Sequence, residues 1–198
     1  NKIKKSAILL AAGATLMCSV LFVACDKENT ELSQSALTEN FSAKSDNIYQ
    51  QARLSTINLY AKCDSAFLND SVLFRQVCEA NDITNFLKIT GITLDEIEEN
   101  IHLTDSACEM FIKDYPEYAT ELEDEPCKEC VDNPLKKLYT ATSQSQVHGG
   151  LAEVAASLDP GDIWDSFRAC KKRCFVLKLI DKRAYWACVA ACTIIDNI

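Results

Sequence analysis

Apolar and polar positions divide this chain into stretches of three different characters. From Ala7 to Ala24 almost every residue is apolar or small, and Lys2, Lys4 and Lys5 stand just ahead of that run. From Asp26 to about Ser45 the residues are mainly Ser, Thr, Asn, Gln, Glu and Lys, with Leu32, Leu37 and Phe41 as the large apolar exceptions. Beyond residue 46 apolar residues recur at spacings of three and four, the period of a helix that buries one face. No stretch sustains the alternation of a half-buried strand. The pattern therefore predicts an all-α chain.

Helix signals punctuate the segment 46–142. Ile48, Ala52, Thr56, Leu59, Tyr60 and Cys63 share one face of a first helix free of Pro and Gly. A second is expected to start at Asn69 or Asp70, and a third at Asp82, ending at Gly91. Thr93-Leu94-Asp95-Glu96 matches a capping box, in which the Thr hydroxyl and the Glu carboxylate satisfy each other's free amides, so a fourth starts there. Thr104-Asp105 reads as the start of a fifth that closes before Pro116, and Asn133-Pro134 as the start of a sixth. This is a bundle of short helices. Gln144 to Gly150 breaks the pattern, and residues 143–161, with Gly149-Gly150 and the turn Asp159-Pro160-Gly161-Asp162, read as a hinge before a separate C-terminal unit, 162–198.

That unit carries Cys170-x3-Cys174 and Cys188-x3-Cys192. Cysteines four apart share a helix face, and two such helices joined by a turn near Asp181 face each other antiparallel, which pairs Cys170 with Cys192 and Cys174 with Cys188. Ile163, Phe167, Cys170, Cys174 and Leu177 on one helix, and Tyr185, Cys188, Cys192 and Ile195 on the other, form the apolar seams. A disulfide needs α-carbons within about 7 Å, closer than ordinary helix axes pack, so small neighbours are required. Ala169, Ala184, Ala187, Ala190 and Ala191 supply them. The spacing resembles the twin CX3C hairpins of α-hairpinin peptides and of small mitochondrial intermembrane-space chaperones. Only the cysteines match, so the resemblance implies shape and not activity.

Five further cysteines, Cys63, Cys78, Cys108, Cys127 and Cys130, leave an odd thiol. Cys63 with Cys78 would join neighbouring helices. Cys127-Lys128-Glu129-Cys130 has redox-dithiol spacing, but its acidic flanks raise the thiol pKa, so a structural bridge or a partnership with Cys108 is the reading. Zinc and iron–sulfur ligation are the alternative for the hairpin thiols. Cys-x3-Cys on continuous helix lacks the tight knuckle of a structural zinc site, and no metal or other cofactor is expected.

Charge is distributed unevenly. The chain carries a net −9, a balance that repels nucleic acid phosphates and makes nucleic acid a poor partner. Residues 25–158 hold ten basic and twenty-four acidic residues, a net of −14, whereas residues 165–195 hold Arg168, Lys171, Lys172, Arg173, Lys178, Lys182 and Arg183 against Asp165 and Asp181, a net of +5. A basic hairpin can dock on an acidic body. It can also, through those cations and Trp186, touch anionic lipid or a protein partner. The acidic runs Asp95 to Glu99 and Glu121 to Glu125 lack the glycine turn of a calcium loop and read as solvated faces. His102 and His148 lie in no nucleophile or metal motif, and neither a serine elbow nor a phosphate-cradling glycine loop is present. No enzyme is expected.

The N-terminal run has the n-region and h-region of a secretory signal. Val23-Ala24-Cys25, with Phe22 where Leu is usual, resembles the lipobox of bacterial lipoproteins. Asp26-Lys27-Glu28 is similar to the surface-export signal of Bacteroidota lipoproteins. These resemblances imply a signal peptide over 1–24, cleavage between Ala24 and Cys25, a lipid on Cys25, and residence on the outer membrane, at the cell surface rather than its periplasmic face; the polar composition of 25–45 reads as a flexible tether. Removal of the signal takes three lysines with it, so −9 becomes −12 on 174 residues. The function expected is that of a non-catalytic lipid-anchored envelope protein, a binding or structural module. The alternative is a toxin-like effector that acts on envelopes through the cationic hairpin.

Overall fold

The computed structural model describes residues 46–119, 128 and 132–195, and all regular structure among them is helical. The helices are α1 (Asp46–Asn69), α2 (Ser71–Glu79), α3 (Ile83–Thr90), α4 (Leu94–Asp114), α5 (Pro134–Ser145), α6 (Leu151–Ser157), α7 (Pro160–Lys178) and α8 (Lys182–Ile195), with 3₁₀ turns at Pro116–Tyr118 and Gln146–His148. The all-α expectation and the stapled C-terminal hairpin, α7 with α8, are the observed fold. Ala24, Cys25, the 25–45 tether, Glu121 to Glu125, Cys127 and Cys130 lie outside the described residues.

Local chemistry sets most helix starts. Asp70 accepts from Leu73 N at 2.9 Å and Asp82 from Asn85 N at 3.0 Å, each satisfying an amide of the first turn. Gly91 closes α3 in the left-handed region, φ 67°. The capping box at Thr93 is complete: Glu96 N donates to Thr93 Oγ1 at 3.3 Å and Thr93 N to Glu96 Oε2 at 2.8 Å. Lys62 of α1 reinforces that corner, donating to Gly91 O at 3.0 Å and to Glu96 Oε1 at 2.5 Å. Asn133 and Asp159 cap α5 and α7, each with proline in the first turn.

One expected boundary is absent. The helix from Thr93 does not stop for a new one at Thr104-Asp105, because α4 runs unbroken to Asp114. Thr104 Oγ1 donates to Asn100 O, one turn back, at 2.7 Å, so its hydroxyl is satisfied inside the helix and caps nothing.

The core is organised around α8. Every residue from Ala184 to Ile194 is buried, and a helix enclosed on all sides needs partners on more than one face. α7 covers one side and α5 another. α1 lies against it as well, with Tyr60 Oη donating to Ala190 O at 3.4 Å. Trp186, Ala187, Ala190, Ala191 and Ile194 share one hydrophobic cluster with Leu59, Tyr60, Phe74, Ile97, Leu135 and Leu138.

Asn47–Ile198 is accordingly one compact unit. The segment read as a hinge between two bodies contributes Leu151, Val154 and Ala155 to that same cluster. The reason lies in α8. Counting only its cysteine seam leaves out the Trp and Ala residues that face the opposite way. Three of the alanines assigned to the disulfide seam, Ala187, Ala190 and Ala191, belong to this shared core.

Several buried polar groups find partners close at hand, although Asn81 Oδ1 and Trp164 Nε1 have no hydrogen-bond partner. Thr142 and Thr193 donate back to the carbonyls of Leu138 and Val189 at 2.8 Å. Asn100 links α4 to α1 by donating to Ser55 Oγ and Thr56 Oγ1 at 3.1 and 3.0 Å. Asp64, nearly buried on α1, accepts from Leu151 N, Ala152 N and Gln146 Nε2 at 2.9, 3.0 and 3.1 Å, and so caps α6 from another helix.

Candidate interaction surface

The C-terminal hairpin is where most of the sequence-predicted residues come together. Cys170 pairs with Cys192 and Cys174 with Cys188, with α-carbons 5.8 and 5.9 Å apart, the pairing that antiparallel helices impose. All four cysteines are buried. Two bridges one helical turn apart fix both the spacing and the register of α7 against α8.

Four of the hairpin cations, Arg168, Lys171, Lys178 and Lys182, are tied to the rest of the fold. Lys171 and Lys178 share the carboxylate of Asp105 on α4, at 2.6 and 3.0 Å. Lys182 meets Glu98 of the same helix at 3.0 Å. Arg183 forms a two-pronged pair with Asp181, whose carboxyl it holds below the ordinary carboxylate range, and Arg168 Nη1 donates to Tyr118 O. Lys178 Nζ also stands 5.4 Å from the centre of the Tyr185 ring. The basic hairpin thus docks against acidic positions of α4. Trp186, expected beside the cations as a contact residue, is instead in the core, 4% exposed with its ring against Phe86. Its large apolar area is better satisfied between helices than at a surface.

What the hairpin does expose is its end. Phe175, Val176, Leu179 and Ile180 are 55, 45, 78 and 76% exposed, clustered where α7 runs into the turn. The turn is closed by Ile180 N and Asp181 N, which both donate to Leu177 O, at 3.0 and 2.8 Å. Asp181 then accepts from Arg183 N at 2.8 Å, which starts α8. Phe175 follows Cys174 directly, so the outer staple lies immediately behind this apolar end. In the sequence this end is the run Phe-Val-Leu-Lys-Leu-Ile. Five of these six residues are apolar, more than the cysteine seam uses.

The described cysteines outside the hairpin are unbridged. Cys63, Cys78 and Cys108 are free, buried thiols, so no bridge joins Cys63 to Cys78. Burial pushes all three up as acids, Cys78 and Cys108 to about 12. Cys108 Sγ donates to Trp164 O at 3.8 Å, packing α4 on α7.

Other candidate features give little chemistry. His102 and His148 are exposed and on different elements. A groove of about 310 Å³ opens between α1 and α4, lined by Gln51, Leu54, Ser55, Asn58, Glu96 and Glu99. Glu96 is already engaged there by the Lys62 ammonium and the Thr93 cap, which together hold its carboxyl below the ordinary range. Among the described residues, no three His, Cys, Asp or Glu side chains converge on a metal-sized site. No described helix is long and apolar enough to cross a membrane.

No protein-family model, curated protein or solved structure matches this chain. The hairpin's likeness to twin CX3C scaffolds is therefore one of cysteine pairing and shape.

Proposed function

We propose that this chain is a non-catalytic, lipid-anchored protein of the cell envelope, a helical binding or structural module displayed at the outer membrane surface. In this reading the signal is cut behind Ala24, and the thiol of Cys25 carries the acyl anchor. Residues 26–45 then space the helical unit from the bilayer. The observation that carries the reading is the Val23-Ala24-Cys25 motif at the end of an apolar run, on a chain whose C-terminal hairpin has two disulfides. Such bridges persist in exported proteins and are rare in a reducing cytosol. The Asp26-Lys27-Glu28 motif supports the outward-facing orientation.

Mass spectrometry of the mature protein from its native membrane tests the anchor. The expected species begins at Cys25, carries acyl mass on that residue, and gains at least the mass of four hydrogens on reduction, from the two hairpin bridges. Recovery of residues 1–24 still attached would overturn the reading. Protease treatment of intact cells tests display, with loss of the helical unit expected at the surface and survival expected for a periplasmic orientation.

A further inference from the structure

We propose that the Phe175–Ile180 end of the stapled hairpin is a lipid-contact wedge that enters the interface of an anionic bilayer. The apolar end is held rigidly, since Cys174–Cys188 lies directly behind Phe175 and fixes α7 to α8 at that level. Little ordering entropy is therefore lost when it meets a surface. Phe, Val, Leu and Ile are the side chains that gain most on leaving water, and Leu179 and Ile180 stand about three-quarters exposed.

The charge around the end selects the surface. Residues 171–183 carry six basic residues and one acidic, and with the Asp105 and Glu98 carboxylates of α4 that pair with them the group keeps a net of +3. The Lys178 and Lys182 side chains flank the apolar group at 34 and 56% exposure, their ammonium groups held by Asp105 and Glu98 at 3.0 Å, which keeps a basic rim beside the apolar end. A second exposed apolar set, Leu68, Val72 and Leu73, has no such setting, because Asp70 and Arg75 cancel beside it. Four side chains also fall well short of the roughly 800 Å² that each partner gives to a standard protein interface. Shallow insertion into lipid needs no such area. This contact goes beyond the covalent anchor and does not rest on acylation of Cys25.

The test places an indole in the wedge of the full chain, as Leu179→Trp, and a control indole at Val147→Trp, a site 82% exposed on a different element. The native Trp164 and Trp186, 2 and 4% exposed, are a shielded background. Each variant is mixed with vesicles of phosphatidylcholine alone or with phosphatidylglycerol, with brominated acyl chains as quencher, and floated. The expected result is a blue shift and strong quenching of the indole at 179 on anionic vesicles, little at 147, and loss of the quenching when Ile180→Asp is added. A chain that floats while the indole at 179 is quenched no more than that at 147 overturns the wedge and leaves the anchor intact. A chain that floats on neither composition overturns both. Floating with quenching on anionic vesicles alone supports the wedge and counts against the anchor. A blue shift without lipid that disappears on dilution means that a second copy covers the end, and overturns the proposal.

Discussion

Gly150 packs its α-carbon directly against the carboxylate of Asp64. A Cβ at position 150 would stand 2.7 Å from Asp64 Cγ and Oδ2, and the backbone there has φ +106°, a region that side chains disfavour. The close approach is what lets one carboxylate on α1 reach Leu151 N and Ala152 N at the start of α6. Gly150→Ala is therefore expected to cost about 2–4 kcal/mol, from backbone strain and displacement of the cap. Asp64→Ala should cost about 1–3 kcal/mol by leaving those amides unsatisfied, with Asp64→Asn milder because an acceptor remains. Urea unfolding measures each. A neutral Gly150→Ala would show that the loop has room that the contact denies.

The two threonine signals on α4 differ in what their hydroxyls do, and the difference is measurable. Thr93 Oγ1 accepts a first-turn amide, whereas Thr104 Oγ1 donates to a carbonyl already bonded within the helix. Thr93→Ala is expected to destabilise by about 1 kcal/mol. Thr104→Val, which keeps the shape and removes only the back-bond, should cost less than that and leave helical chemical shifts unbroken across 103–105. A helix boundary appearing at 104 in the variant would contradict this.

These residues show what was legible and why. Signals confined to a few neighbours in sequence read correctly: Asp70, Asp82, Gly91, Thr93 and Asn133 each bound a helix where expected, whereas α7 starts at Pro160, inside the stretch read as a turn. The four hairpin cysteines read correctly because helix geometry leaves one antiparallel pairing. Thr104-Asp105 misled because the same two residue types serve a cap, or a back-bonded Thr beside an Asp that reaches Lys171 and Lys178 on another helix. Only tertiary structure decides between these. Trp186 misled in the same way, since a Trp among cations suits an interface until Phe86 and the core are found on its other side.

Because α8 lies in the core, the staples act on the whole unit. Bridges separated by 22 and 14 residues are worth roughly 3 kcal/mol each in the chain-entropy model. Cys174→Ala/Cys188→Ala is expected to lower the unfolding midpoint of one cooperative transition, seen equally by far-UV circular dichroism and by fluorescence of the buried Trp164 and Trp186. A separate hairpin would instead melt first and leave α1 to α5 helical. Two resolved transitions in the variant, with the earlier confined to residues 160–195 by hydrogen exchange, would place the boundary back between the two parts.

Among the described residues three free thiols stand beside two disulfides, a hazard that burial removes. Exchange begins with a thiolate, and burial, the leading cause, holds Cys78 and Cys108 protonated up to about pH 12 and Cys63 well above the ordinary thiol range. The unfolded chain ionises these thiols near pH 9. A folded pKa above the unfolded one gives stability that is whole below pH 9 and is lost as pH climbs toward 12, at about 1.4 kcal/mol per pH unit for each thiol. Moving from pH 8 to pH 10 should therefore cost the native chain roughly 1 kcal/mol more in urea unfolding than it costs Cys78→Ala. Equal losses in the two proteins would mean that Cys78 ionises as readily folded as unfolded. The same burial predicts that Cys63, Cys78 and Cys108 react with a disulfide reagent at pH 8 only after denaturant is added. Rapid reaction of Cys108 in the native protein would mean that α4 opens from α7, the packing that keeps that thiol away from solvent.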